Sequence, residues 1–194
     1  MKRDLVLTKP LVSSFLSCEK DTEIILKKLF VESQPYSNDL KRLLILPVKD
    51  CLENKSDVCR EKVEKANLKM LRDNGYIVLE PKIKFKEHED VKSYIVLSFD
   101  NFVPNAENPQ FRDCTVNFDI ICHTDYWDLG DYRMRPLKIA GIIDGILQNS
   151  KLTGIGTFQF MGCNELILNE ELSGYTLSYW AIHGSDDRIE PKNE

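Results

Sequence analysis

Between Cys114 and Asn149 the chain changes its hydrophobic period. Cys114, Val116, Phe118, Ile120 and Cys122 alternate with Thr115, Asn117, Asp119, Ile121 and His123, the two-residue repeat of a strand that buries one face and wets the other. The stretch TDYWDLGDYRMR breaks that strand, and Ile139, Ala140, Ile143, Ile146 and Leu147 then share one helical stripe, with Pro136 in the first turn. Gly141 and Gly145 lower helicity by ~1 kcal/mol each relative to alanine, which predicts close packing against a sheet along their side.

The same reading upstream predicts a helix from Asp21 or Thr22 through Phe30, with Ile25, Leu26, Leu29 and Phe30 on its buried face. From Leu40 the chain reads as an extended apolar segment that enters an exposed polar loop at Pro47. Val63, Ala66, Met70 and Leu71 predict a second helix over Cys59–Asn74, closed by a left-handed cap at Gly75. Ile77, Leu79, Ile83 and Phe85 share the parity of a strand that Pro81 confines to an edge or a bulge. KSYIVLSF, with Ile95, Leu97 and Phe99 on one parity, pairs with it as an antiparallel hairpin. The following DNFVPNAENPQFRD holds two prolines and three asparagines and reads as a long loop, a class that is often functional in compact domains.

Two strands close the chain, one marked by Phe158 and Phe160, the other by Leu177, Tyr179 and Ala181; residues 185–194 read as a polar tail. Val78, Tyr94, Val96, Trp180 and Ile182 lie on the outer parity of their strands. Either helices pack on both sheet faces or a neighbouring subunit covers these side chains. The element order gives the fold class α+β, a mainly antiparallel β-sheet with helices packed on one face. All 194 residues are expected to form a single domain.

Composition narrows the function. With 42% hydrophobic and 29% charged residues the chain has the balance of a soluble globular protein. A net charge of -5 argues against a dominant nucleic-acid surface, which needs a basic footprint. Lys62, Lys65, Lys69 and Arg72 are interleaved with Glu61, Glu64 and Asp73, as on a solvated mixed-charge face. Neither a secretory leader nor a membrane-spanning helix is expected, because Asp4, Thr8, Lys9 and Pro10 interrupt the N-terminal apolar residues and no long apolar run follows. Cysteines 18, 51, 59, 114, 122 and 163 form no CxxC pair and are expected to be reduced and mostly buried.

Catalytic patterns are weak. His88, His123 and His183 show no HExxH spacing, and solvated or capping roles suit them. Cys114 and Cys122 flank the strand that ends at His123, but their parity points both thiols into the apolar face, where they are unreactive. Asp125, Asp128 and Asp131 are spaced as in a cation-binding loop, yet Pro136 stands where an EF-hand needs its final glutamate. GIGTFQ lacks a Lys-Ser/Thr pair and a following helix, so its glycines suit a strand bend or a close backbone approach rather than a phosphate loop. No catalytic, cofactor-binding or metal-binding residue is assigned.

The run from about Tyr76 to His183 resembles the tail terminator proteins of tailed bacteriophages, also called tail completion, neck or head-tail joining proteins. The likeness rests on an ordered series of segments: SYIVLSF, the long polar loop, RDCTVNFDIICHT, the acidic loop, LKIAGIIDGILQN with Arg133 and Arg135 before it, LTGIGTFQF and LSGYTLSYWAIHG. Asp21–Phe30 takes the place of that family's N-terminal helix, and residues 34–75 depart from its pattern as an insertion or arm.

The resemblance implies a tail-terminator-like fold and a structural, non-enzymatic virion protein without a cofactor. Such a protein is assembled in the host cytoplasm and located in the tail or neck. Its partners would be copies of itself in a ring of six, the tail tube protein and the head-tail connector or stopper protein. DNA would meet it only by passage through the lumen, and no membrane would be involved. The candidate contacts are Leu43, Leu44 and Ile45 of an arm Leu40 to Cys51, and Asn101, Phe102, Asn105, Phe111 and Arg112 of the long loop. Asp125, Asp128 and Asp131, as a lumen-facing acidic lining, and Trp180 complete the set. A tail tube or head-tail stopper protein is the alternative within the virion; a cytosolic small-molecule-binding domain or enzyme is the alternative from another class, and a regulatory nucleic-acid binder is the third.

Overall fold

The computed structural model describes residues 18–54, 56–79, 93–107, 111–148, 150–152 and 156–183. The first helix, α1 (Cys18–Lys27), begins before the expected cap, so that Asp21 lies inside it and is buried. It continues through a π-turn, Lys28–Glu32, that carries Leu29 and Phe30 into the core.

The segment expected to be an extended arm is a helix. In α2 (Tyr36–Ile45) Leu40, Leu43 and Leu44 follow the three-to-four spacing of one buried face. The apolar run LLIL is compatible with either period, and burial against the π-turn, the later helix Arg135–Leu147 and the strand Ser93–Pro104 decides for the helix. The expected second helix is two, α3 (Asp57–Lys65) and α4 (Leu68–Asp73). Ser56 Oγ accepts a hydrogen bond from the Cys59 backbone N–H at 3.4 Å, and Asn67 Oδ1 accepts one from Met70 N–H at 2.9 Å. Asn67 thus starts a new helix within an unbroken apolar period, because its side chain offers the backbone a cap in place of one more turn. At the far end Gly75 takes φ 74°. Gly75 N–H donates to the Arg72 carbonyl at 3.0 Å and Tyr76 N–H to the Leu71 carbonyl at 2.8 Å, the paired bonds of a left-handed helix stop.

The five-stranded sheet has the order β1-β2-β3-β7-β6. Its members are β1 (Ile77–Val78), β2 (Ser93–Pro104), β3 (Arg112–His123), β6 (Gln159–Ile167) and β7 (Leu172–His183). A separate antiparallel pair, β4 (Lys151–Leu152) and β5 (Gly156–Thr157), precedes β6. Edge placement of β1 agrees with expectation, but the hairpin does not: β1 runs parallel to β2, with Ile77 opposite Ile95. Ile83 and Phe85 lie outside the described residues. The remaining sheet pairs are antiparallel.

Cys114, Val116, Phe118, Ile120 and Cys122 are all buried and face the helices, as alternation requires. Ile95, Leu97, Leu177, Tyr179 and Ala181 join them in one core with α1, α2 and α5 (Arg135–Leu147). Ile139, Ala140, Ile143 and Leu147 of α5 close it. Gly141 and Gly145 are exposed, with nothing within 4 Å of an added Cβ, so they do not mediate the expected close packing. The close approaches are elsewhere. A Cβ on Gly174 of β7 would lie 1.8 Å from the Ile120 carbonyl oxygen, and one on Gly156, which takes φ 79°, would lie 3.4 Å from the Ile182 oxygen.

The opposite sheet face is not uniformly wet. Tyr94, Val96 and Ile121 are buried in a second, small cluster with Val78, Leu166 and Leu172 packed on it. Tyr94 and Val96 are therefore covered within the protomer. Beside them the face becomes polar: Thr176 Oγ1 donates to Asp119 Oδ1 at 2.6 Å and Ser178 Oγ to Asn117 Oδ1 at 2.7 Å.

Candidate assembly surface

The expected long loop is mostly strand. β2 continues through Pro104 and β3 begins at Arg112, with a register shift between Asp100 and Val103. At that bulge Asn101 takes φ 53° and is exposed, while Phe102 turns back and packs partly on the core. The turn itself is tied by the Asn105 backbone N–H to the Phe111 carbonyl at 3.1 Å and by Asn105 Nδ2 to Asp113 Oδ1 at 2.7 Å. Phe111 and Arg112 are half-buried, and Val103 is exposed. Thus Asn101, Asn105 and Val103 form a braced hairpin end.

At the other end of β3, a short 3-10 turn, Thr124–Tyr126, leads into a second tight hairpin closed by the Asp128–Met134 bridge. Gly130, Asp131 and Tyr132 have φ of 76°, 48° and 62°. Gly130 adopts this conformation freely, but the two residues after it, one of them aromatic, are strained, and Tyr132 is presented wholly to solvent. Ion pairs brace this tip on the helical layer: Lys49 to Asp128 at 2.5 Å and Arg133 to Glu53 at 2.8 Å. The Lys49 bond, aided by the Gly130 N–H, holds the Asp128 carboxyl below its ordinary range. Asp131 lies 3.5 Å from Arg133, and Asp125 the same distance from His123. The three aspartates are exposed as expected, but two of them sit against cations.

Arg135 anchors the loop from below. Buried to 1% exposure, it donates to the carbonyls of Tyr126 at 2.7 Å, Leu43 at 2.6 Å, Leu46 at 3.1 Å and Val48 at 2.7 Å. Two of these acceptors, Leu43 and Leu46, lie at the C-terminal end of α2, where free carbonyls and the helix dipole favour a cation, and Val48 follows just beyond it. Leu43 and Leu44 are therefore core residues and Ile45 is packed partly against the core. None projects on an arm. Trp180 is half-buried on the outer sheet face, opposite Thr115 and Gln159.

Among the described residues no group of three or more His, Cys, Asp or Glu is placed to hold a metal ion, and no helix is long and apolar enough to cross a membrane. Burial pushes the Cys122 thiol up to about 11 and raises Cys51 as well. A cavity of about 870 Å³ lies between α1, α4 and β1, with Glu23, Leu26, Lys69, Arg72 and Leu79 among its lining.

A family model described as YomW matches residues 37–180, well over half of the chain. The chain belongs to the YomW family. This is a phage-like protein family, which makes the protein phage-related. No curated protein matches the chain. The YomW match runs from α2 to β7, so the segment set apart as an insertion lies almost entirely within the family's shared region.

This YomW-family protein also exposes residues whose exposure periodicity did not indicate, Phe160 among them although it shares the parity of buried Phe158. Phe160, Met161 and Ile167 on β6, Leu168 just beyond it and Tyr132 are large, apolar or aromatic, and exposed. In β6 the inward parity runs off the edge of the helical layer, a property of sheet order that no local pattern encodes.

Proposed function

We propose that this YomW-family protein is a structural subunit of a phage virion, a tail terminator or neck protein. Copies of it close into a ring of six that caps the tail tube and receives the head-tail connector, without catalysis or a cofactor. The observation that carries this reading is the placement of two braced, exposed hairpin ends at opposite ends of β3. Twelve residues of strand separate them by roughly 35 Å. A joining piece needs two such surfaces, one for each neighbour, and a ring needs a closing heterologous contact between copies. Asn101, Val103 and Asn105 serve one end; Asp125, Asp128, Asp131 and Tyr132 serve the other. Because Lys49 and Arg133 compensate two of the aspartates, this end is better suited to a protein partner than to an acidic lining for DNA.

Immunogold electron microscopy of phage particles tests the role. Label confined to the head-tail junction, and tails of irregular length when the protein is missing, are expected. Label along the whole tail would instead identify a tube protein, and unlabelled particles would reject a virion role. In that case ligand screening by thermal shift would turn to the cavity beside Arg72.

A further inference from the structure

Among the described residues β6 is an outer strand of the sheet, and only β7 pairs with it. Monomeric proteins blunt such edges with short strands, lysine, proline or a covering element, because free backbone groups recruit other strands. β6 has few of these defences. It is nine residues long, seven of them exposed, and its sequence QFMGCNELI contains no lysine, arginine or proline and a single charge, Glu165. Phe160, Met161 and Ile167 are 45%, 58% and 68% exposed. The sheet's other outer strand, β1, has only two residues, too few to receive it.

The occupant that fits β6 is another β6. Antiparallel pairing centred on Cys163, the middle residue, sets Gly162 against Asn164 and Met161 against Glu165. The one charged side chain then meets an apolar partner twice, and no like charges oppose each other. Centring on Glu165 would bring the two carboxylates face to face. The bulge between Phe160 and Gly162 leaves Met161 without a partner on β7, so the side chain is free to reach across the edge.

We propose that β6 pairs antiparallel with β6 of a second copy about a two-fold axis at Cys163, joining the two sheets into one. This contact is isologous and ends at two copies. It is distinct from a ring contact and describes the protein before assembly, with its adhesive edge masked.

Sedimentation of the full-length protein tests the proposal together with two variants at an exposed position. In the dimer Met161→Glu places like charges opposite one another on both sides of the axis and should weaken association, raising Kd about tenfold, whereas Met161→Lys, facing Glu165, should leave it unchanged or tighter. Circular dichroism melting should be the same for both, separating association from folding. Mild copper-phenanthroline oxidation should link two chains, and Cys163→Ser should abolish the link. Paired antiparallel Cα atoms lie about 4.5–5.5 Å apart, within disulfide reach. A monomer at every concentration, an equal response to glutamate and lysine, or a ring without a Cys163 link would each overturn the pairing. The last result would leave the terminator reading standing, whereas a dimer in a protein absent from particles would do the reverse.

Discussion

Arg135 is the residue on which the helical layer and the 124–134 loop depend together. Its guanidinium satisfies carbonyls 92, 89 and 87 residues away in sequence, and no other side chain presents so many donors in one plane. Arg135→Ala should lower unfolding free energy by about 3 kcal/mol, since it strands several buried carbonyls. Arg135→Lys should recover little of this, as chemical denaturation will show. Gly174 is the second such residue. A methyl there meets backbone rather than a side chain that can swing away, so Gly174→Ala should cost about 2 kcal/mol or more in the same assay. The third residue-scale effect is a pH dependence. Burial raises the pKa of Cys122 from 9.0 to about 11 and moves Tyr94 and Tyr179 upward too. A raised acid keeps its proton in the folded state after the unfolded chain has lost it. Its stabilisation is therefore complete below the unfolded pKa and is lost as pH rises through the folded value. Melting temperature should hold steady to about pH 8 and fall between roughly pH 9 and 11, with a shallower fall in Cys122→Ala.

At the scale of elements, local signals were legible where one residue type sets the backbone. Gly75 stops α4, Pro136 opens α5 and the parity of β3 predicts its buried face. Signals that compete were not. LLIL satisfies both a strand and a helix, so α2 became apparent only when its burial was known; Asn67, a polar residue in an apolar period, conceals a cap. Its role is measurable: Asn67→Ala should cost about 1 kcal/mol by removing the bond to Met70 N–H. Asn67→Asp, which keeps the acceptor, should cost less in a matched denaturant titration.

For the whole molecule, the helices from 36 to 73 share one core with the sheet. Leu40, Leu43, Val63 and Leu71 are all 4% exposed or less. Deletion of 34–75 should therefore leave no cooperative thermal transition, where an appended arm would have left the rest of the fold intact. The phage-related family assignment agrees with this unity, for its match spans the same helices and the sheet.

The sequence by itself determined the α+β class, the inward face of β3, the stripe of α5 and the exposure of the acidic loop. Each follows from a period or a turn residue acting over a few positions. Tertiary structure decided the rest: the parallel pairing of β1, the helical state of α2, the four-carbonyl grip of Arg135 and the exposure of β6. These depend on which distant segment becomes a neighbour. Hydrophobic periodicity specifies that a face must be buried, but it carries no label for the surface that buries it.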